Sequence, residues 1–126
     1  MVPWKISRYP TRQTKNKNMD AQELKIEEGS INFWIKEHQL DFNDGQTTPL
    51  LSVNPTGGSI FIVKDADNKL KVFYVVLERG RVDLESNVSS LNPEIKHMIT
   101  YAWNLPGKKV NLYIDGKEAA TKEIPF

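Results

Sequence analysis

From Gly29 onward, apolar and polar residues trade places at every second position. Ile31, Phe33 and Ile35 fall on one side of an extended segment and Asn32, Trp34 and Lys36 on the other, which predicts a half-buried strand with its aliphatic side inward. Farther along, His97, Ile99, Tyr101 and Trp103 make a bulky face opposed by the smaller Met98, Thr100 and Ala102. Val110, Leu112 and Ile114 likewise oppose Asn111, Tyr113 and Asp115. Between these two segments Pro106-Gly107 breaks the chain, the Pro by fixing φ and the Gly by permitting a positive φ. Asp115-Gly116 then gives a strong signal for a two-residue hairpin, with a further strand from Lys117 to Ile124.

The middle of the chain reads the same way. A short strand, PLLSV, is stopped by Asn54-Pro55 and Gly57-Gly58, and two β-rich runs, Ser59 to Lys64 and Lys69 to Glu78, flank a hairpin at Asp65 to Asn68. The second run is apolar on both sides, Val72, Tyr74 and Val76 against Phe73, Val75 and Leu77, which predicts a central strand. Glu78-Arg79-Gly80 turns the chain into a short strand, Arg81 to Glu85, with Val82 and Leu84 inward. The one helical expectation is a single turn, Ala21 to Leu24, from the capping pattern of Asp20 and Glu23. Turn signals roughly every 8 to 12 residues between short alternating strands define the fold class as all-β, an antiparallel β-sandwich.

Size and composition narrow the function classes. A chain of 126 residues, 39% hydrophobic and 26% charged, predicts one globular domain. No apolar run approaches the roughly 18 residues of a spanning helix, so membrane insertion is not expected. The N-terminus lacks the apolar stretch of a secretory signal. Zero cysteines exclude disulfides, thiolate metal sites and a cysteine nucleophile. The net charge of +1 hides an asymmetry: residues 1–18 carry five basic residues and no acid, whereas the remaining 12 basic and 16 acidic residues leave the body at −4. Residues 1–18 are expected to form a basic, partly irregular segment ahead of a sandwich over residues 19–126. With only Trp4 and Tyr9 as stacking rings, that segment falls short of a nucleic-acid-binding module, and no nucleic-acid partner is expected.

Two stretches resemble a known family. His97, Trp103-Asn104, Gly107 and LYIDGK (Leu112 to Lys117), together with GSINFWIK (Gly29 to Lys36), are similar to strands of the concanavalin A-like lectin and glucanase superfamily, in particular its laminin-G-like jelly-roll domains. Lys96-His97-Met98 departs from the Trp-His-His usual at that strand. The resemblance implies a jelly-roll sandwich and a binding or adhesion role at the cell surface or outside the cell, toward a carbohydrate first and a protein surface second. An interaction or spacer domain of a larger protein is the alternative.

The chemistry-bearing residues fit binding better than catalysis. Glycoside hydrolysis needs two carboxylates about 5 to 9 Å apart across the scissile bond. Asp83 and Glu85 form the one same-face acidic pair on a strand, and the longer Glu-x-Asp-x-Glu pattern of the superfamily's hydrolases is missing, so no enzyme is expected. His97 has no companion nucleophile motif and reads as a packed sheet residue. For sugar binding, a ring to stack on a pyranose and planar polar groups to bond its hydroxyls are the required types. Trp34 and Tyr113 are the candidate rings, each opposite the aliphatic face of its strand, while Tyr101 and Trp103 belong in the core. Asn43, Asp44 and Asn87 are the candidate polar groups, with Asn104 beside them. Calcium is the ion to consider, through Asp41, Asn43 and Asp44 in a loop that resembles the start of an EF-hand, though its Gly45 comes one position early and no Glu stands at the twelfth place. Asn87-Val88-Ser89 is a glycosylation sequon.

Overall fold

The computed structural model describes residues 24–126. Residues 1–23 lie outside that range, and with them the expected basic segment and the start of the expected helical turn. Eight strands follow in order: β1 (Glu28–Ile35), β2 (Thr48–Val53), β3 (Gly58–Lys64), β4 (Lys69–Val76), β5 (Gly80–Asn87), β6 (His97–Asn104), β7 (Lys109–Ile114) and β8 (Lys117–Glu123). They form two four-stranded antiparallel sheets. Sheet A has the order β1-β6-β7-β8, and sheet B the order β2-β3-β4-β5. The fold class is therefore all-β, an antiparallel sandwich, as the alternation predicts.

The inner faces are those the period-2 pattern assigns. Phe33, Ile35, Ile99, Tyr101, Trp103, Val110 and Leu112 from sheet A meet Ile60, Ile62, Leu70, Val72, Tyr74, Val82 and Leu84 from sheet B, all buried. One end of the sandwich is closed by the residues entering β1: Ile26 is buried, Trp103 Nε1 donates to Lys25 O at 2.8 Å, and the Tyr74 hydroxyl donates to Ile26 O. The other end is closed by Leu40 and Phe42 of the β1–β2 loop, with Phe42 packed edge-on against His97 at 5.4 Å. The free edges of β5 and β8 approach each other, and Lys122 Nζ donates to Asp83 O at 3.0 Å.

Two local expectations need correction. The run Lys69 to Glu78 ends as a strand at Val76, because Glu78 takes a left-handed φ of 66° in the turn. Although β4 is an interior strand, its second apolar face is not core: Phe73 and Val75 line the outside of sheet B half-buried, and Leu77 is 62% exposed. At the β6–β7 turn the left-handed residue is Lys108, with φ of 61°, rather than Gly107. Gly107 is required for closeness instead, since a Cβ there would stand 2.9 Å from Asn104 Nδ2. The β7–β8 hairpin follows expectation, with Asp115 and Gly116 at φ of 54° and 83°.

Candidate functional site

The sequence-derived candidates separate into two groups in space. Trp34 and Tyr113 lie on the outer face of sheet A. Asp41, Asn43 and Asp44 lie in the β1–β2 loop at one end of sheet B, and Asn87 at the end of β5.

In the loop group the polar atoms are engaged with one another. Lys64, at the end of β3, continues the inward alternation of Ile60 and Ile62, and its side chain is fully buried. Its ammonium donates to Asp44 Oδ1 and Gln46 O, and reaches Asn68 Oδ1 at 3.4 Å. Asn68 Nδ2 in turn donates to Asn43 Oδ1 at 3.0 Å, and Gly45 N to Asn68 Oδ1 at 3.0 Å. Asp41 Oδ1 accepts Asn43 N at 2.9 Å, and Asp44 Oδ1 also accepts Gln46 N at 2.9 Å. The bond from Lys64 holds the Asp44 carboxyl below its usual range, with Gln46 N adding to it. This donor set does not suit calcium, because an ion at Asp44 would stand against a buried ammonium. Among the described residues no three His, Asp or Glu side chains come together. Asn87 is likewise occupied, its Oδ1 accepting from Ser89 N at 2.8 Å and Ser89 Oγ at 2.7 Å.

His97 is a second engaged group. Asp115 Oδ2 and Asn92 O face its two ring nitrogens, each at 2.7 Å, so the doubly protonated ring satisfies both. Burial works against that charge, but the bonds to Asp115 and Asn92 prevail and raise the imidazole above its usual range. Burial also opposes the Asp115 carboxylate, and its bonds to His97 and Met98 N prevail and lower it. His97 thereby ties the β5–β6 loop to the β7–β8 turn, the packed sheet role its alternation suggests.

The outer face of sheet A is different. Register places its outward residues in cross-strand rows: Trp34 beside Met98; then Asn32, Thr100 and Tyr113; then Ser30, Ala102 and Asn111; then Glu28, Asn104 and Lys109. Trp34 is 48% exposed, with Lys96 Nζ 4.7 Å from its ring centre. Because Ala102 is small and sits on an interior strand between polar neighbours, the face sinks into an open depression of about 390 Å³, lined by Glu28, Ser30, Ala102, Asn104, Lys109 and Asn111. Its amides are oriented. Asn104 Oδ1 accepts Gly107 N at 2.8 Å, leaving the Nδ2 as a donor. Asn111 Nδ2 donates to Glu118 at 2.8 Å and Thr121 at 3.0 Å, leaving the Oδ1 as an acceptor. The side chains of Ser30, Asn32 and Lys109 have no hydrogen-bond partner among the described residues.

The acidic pair is engaged by cations. Asp83 and Glu85 point outward from sheet B, Asp83 paired with Arg81 at 2.9 Å and Glu85 with Lys69 at 3.3 Å and Lys71 at 3.6 Å. Beside them Phe61 and Phe73 stack at 6.0 Å, with the Arg81 guanidinium 5.2 Å from the Phe73 ring centre.

Of the residues that shape the depression, Asn104 is recognisable by type, whereas Ser30, Ala102, Lys109 and Asn111 carry no local mark of a site. The signal available was the run of smaller residues on the outward side of β6, which becomes a depression only once β1 and β7 are known to flank it.

An antiparallel sandwich with an open polar depression on one outer face is thus the class of protein that fold and site define. Two solved structures are similar to it: the CBM40 module of the Ruminococcus gnavus IT-sialidase bound to alpha2,3 sialyllactose, with a TM-score of 0.60, and the same CBM40 module in a second structure, at 0.59. Each is 14% identical, and each match covers 81% of this chain and 56% of the other, so the chain spans little more than half the length of these structures. The likeness extends the fold description from sandwich to sandwich of this kind. No protein-family model and no curated protein matches the sequence.

Proposed function

We propose that this chain is a non-catalytic carbohydrate-binding module, lectin-like in kind, that binds through the outer face of sheet A. The observation that carries the reading is the solvent-facing Trp34 on the same face as a depression whose amide and hydroxyl groups keep unused hydrogen-bond capacity. Sugars need that combination, an apolar platform for ring C–H groups and oriented donors and acceptors for hydroxyls. Support comes from the fold likeness to CBM40 modules, one of them bound to alpha2,3 sialyllactose, and from the strand motifs shared with concanavalin A-like and laminin-G-like domains. The outward, cation-paired positions of Asp83 and Glu85 favour a module without hydrolytic activity. A place outside the cell or on its surface accords with this role.

Binding on this reading is independent of calcium, since Lys64 engages the one loop that offered an ion its ligands. A glycan array probed with and without calcium tests both parts. The expected result is binding to a defined glycan class, equal in the two conditions; silence in both would leave an interaction or spacer domain of a larger protein as the better account.

A further inference from the structure

The dimensions of the sheet A face specify the form of its ligand. Resting on the carbohydrate reading, we infer that the face takes a linear oligosaccharide of three or more sugars lying along β1 and β6, one ring seated in the depression and a later ring over Trp34.

Ser30, in the wall of the depression, and Trp34 are four residues apart on one strand and on the same face. At about 3.3 Å per residue they are separated by roughly 13 Å, which is two cross-strand rows of about 6.6 Å each. A single pyranose covers about one such row, so no monosaccharide reaches both. The row between them is not blank: Asn32, Thr100 and Tyr113 present an amide, a hydroxyl and a half-buried ring, none bonded by its side chain to another described residue. The two middle rows carry no charged side chain on β1, β6 or β7. Apart from Glu118 on β8, which accepts from Asn111, the charged groups stand at the rims, Glu28 and Lys109 at the depression and Lys96 over Trp34. Recognition along the middle therefore proceeds by exchange of hydroxyl bonds with water for bonds to Asn32, Thr100 and Asn111, which a chain of hydroxyl-bearing rings can make and a lone anion cannot.

Isothermal titration with the monosaccharide-to-hexasaccharide series of cellulose, xylan, chitin and α-glucan, and with sialyllactose against free sialic acid and lactose, tests this. The expected result is one series whose affinity rises tenfold or more from monosaccharide to trisaccharide. Trp34→Ala should bring the trisaccharide down to the affinity of the monosaccharide. Ala102→Leu, which fills the depression from an outward position, should remove binding at every length, with circular dichroism reporting the fold intact. A monosaccharide bound as tightly as its trisaccharide, or a length dependence that survives Trp34→Ala, would overturn the inference while leaving a single-ring carbohydrate site standing. Silence across all series overturns the inference too, and the array above then decides whether the carbohydrate reading falls with it.

Discussion

The molecule holds two collections of polar side chains, and they differ in what they bond to. At the loop end of sheet B, Lys64, Asp44, Asn43 and Asn68 use their polar atoms on one another and on nearby backbone. On the outer face of sheet A, Ser30, Asn32, Asn104 and Asn111 keep donors or acceptors with no partner among the described residues. Asparagines occur in both, though only the first holds an ion pair, Lys64 with Asp44. The difference lies in partners: a polar group whose hydrogen bonds close within the protein stabilises it, and one left open to water can exchange that water for a ligand.

The most severe way to break the comparison is to remove the cation from the closed group. Lys64→Met keeps the buried stem and deletes the ammonium, stranding Asp44 Oδ1 and Gln46 O. Asp44 is 30% exposed and can be partly rehydrated, so the expected cost stays below that of breaking a deeply buried pair and is seen as a melting temperature lower by several degrees. Glycan binding, once established, should survive at temperatures where the variant is folded. A loss of binding with unchanged melting temperature would reverse the two assignments.

Next in size is the His97 pair, which pH can break without mutation. His97 has a folded pKa raised above 6.5, so its contribution is complete below that pH and is lost as pH climbs through the raised value. Asp115 has a folded pKa depressed below 3.8, so its contribution is present above that pH and lost as pH falls through the lowered value. The pair therefore stabilises most between about pH 4 and 6.5. Urea titrations of the wild type should show stability declining on the alkaline side of that window, and His97→Gln should flatten the decline; parallel pH profiles for the two proteins would mean the ring carries no charge in the fold.

Trp34→Ala is smaller in stability and larger in function. The ring is half exposed and its one ring contact among the described residues is with Lys96, so thermal denaturation should register a loss of no more than about 1 kcal/mol. Glycan binding should fall at least tenfold. A change of several kcal/mol with binding intact would make Trp34 part of the closed, structural set.

How much of this was readable beforehand follows from range. Strand positions and core faces were legible because alternation is local: Ile31, Phe33 and Ile35, or Ile99, Tyr101 and Trp103, declare their inner side within a few residues. Trp34 was recognised as outward by the same local rule. The depression was not, because it depends on β1 pairing with β6 and β6 with β7, and register across distant segments is not written in either strand alone. Asn43, Asp44 and Asn87 are candidates by residue type; the partners that engage Asn43 and Asp44 come from the β3–β4 turn and β3, and the one that engages Asn87 is Ser89, just past β5. Lys64 did leave a trace, an inward place after Ile60 and Ile62, but a lysine at a strand end reads as solvent-facing unless an acceptor is known to wait for it.

The smallest effect concerns a polar atom that belongs to neither collection. The Tyr101 hydroxyl is buried in the core with no hydrogen-bond partner among the described residues, while its ring stacks on Trp103 at 5.6 Å. A buried hydroxyl without a partner forfeits its bonds to water and gains nothing in return. Tyr101→Phe keeps the ring and the stacking and deletes that atom, so the variant should be more stable by about 0.5 to 1 kcal/mol, a rise of a few degrees in melting temperature. The sign is what makes the measurement useful: the same deletion at Ser30 should leave stability nearly unchanged, because water satisfies that exposed hydroxyl in the free protein. Destabilisation of Tyr101→Phe by more than about 1 kcal/mol would show that the hydroxyl does find a partner, a buried water or a residue before Leu24, and would move it into the closed set.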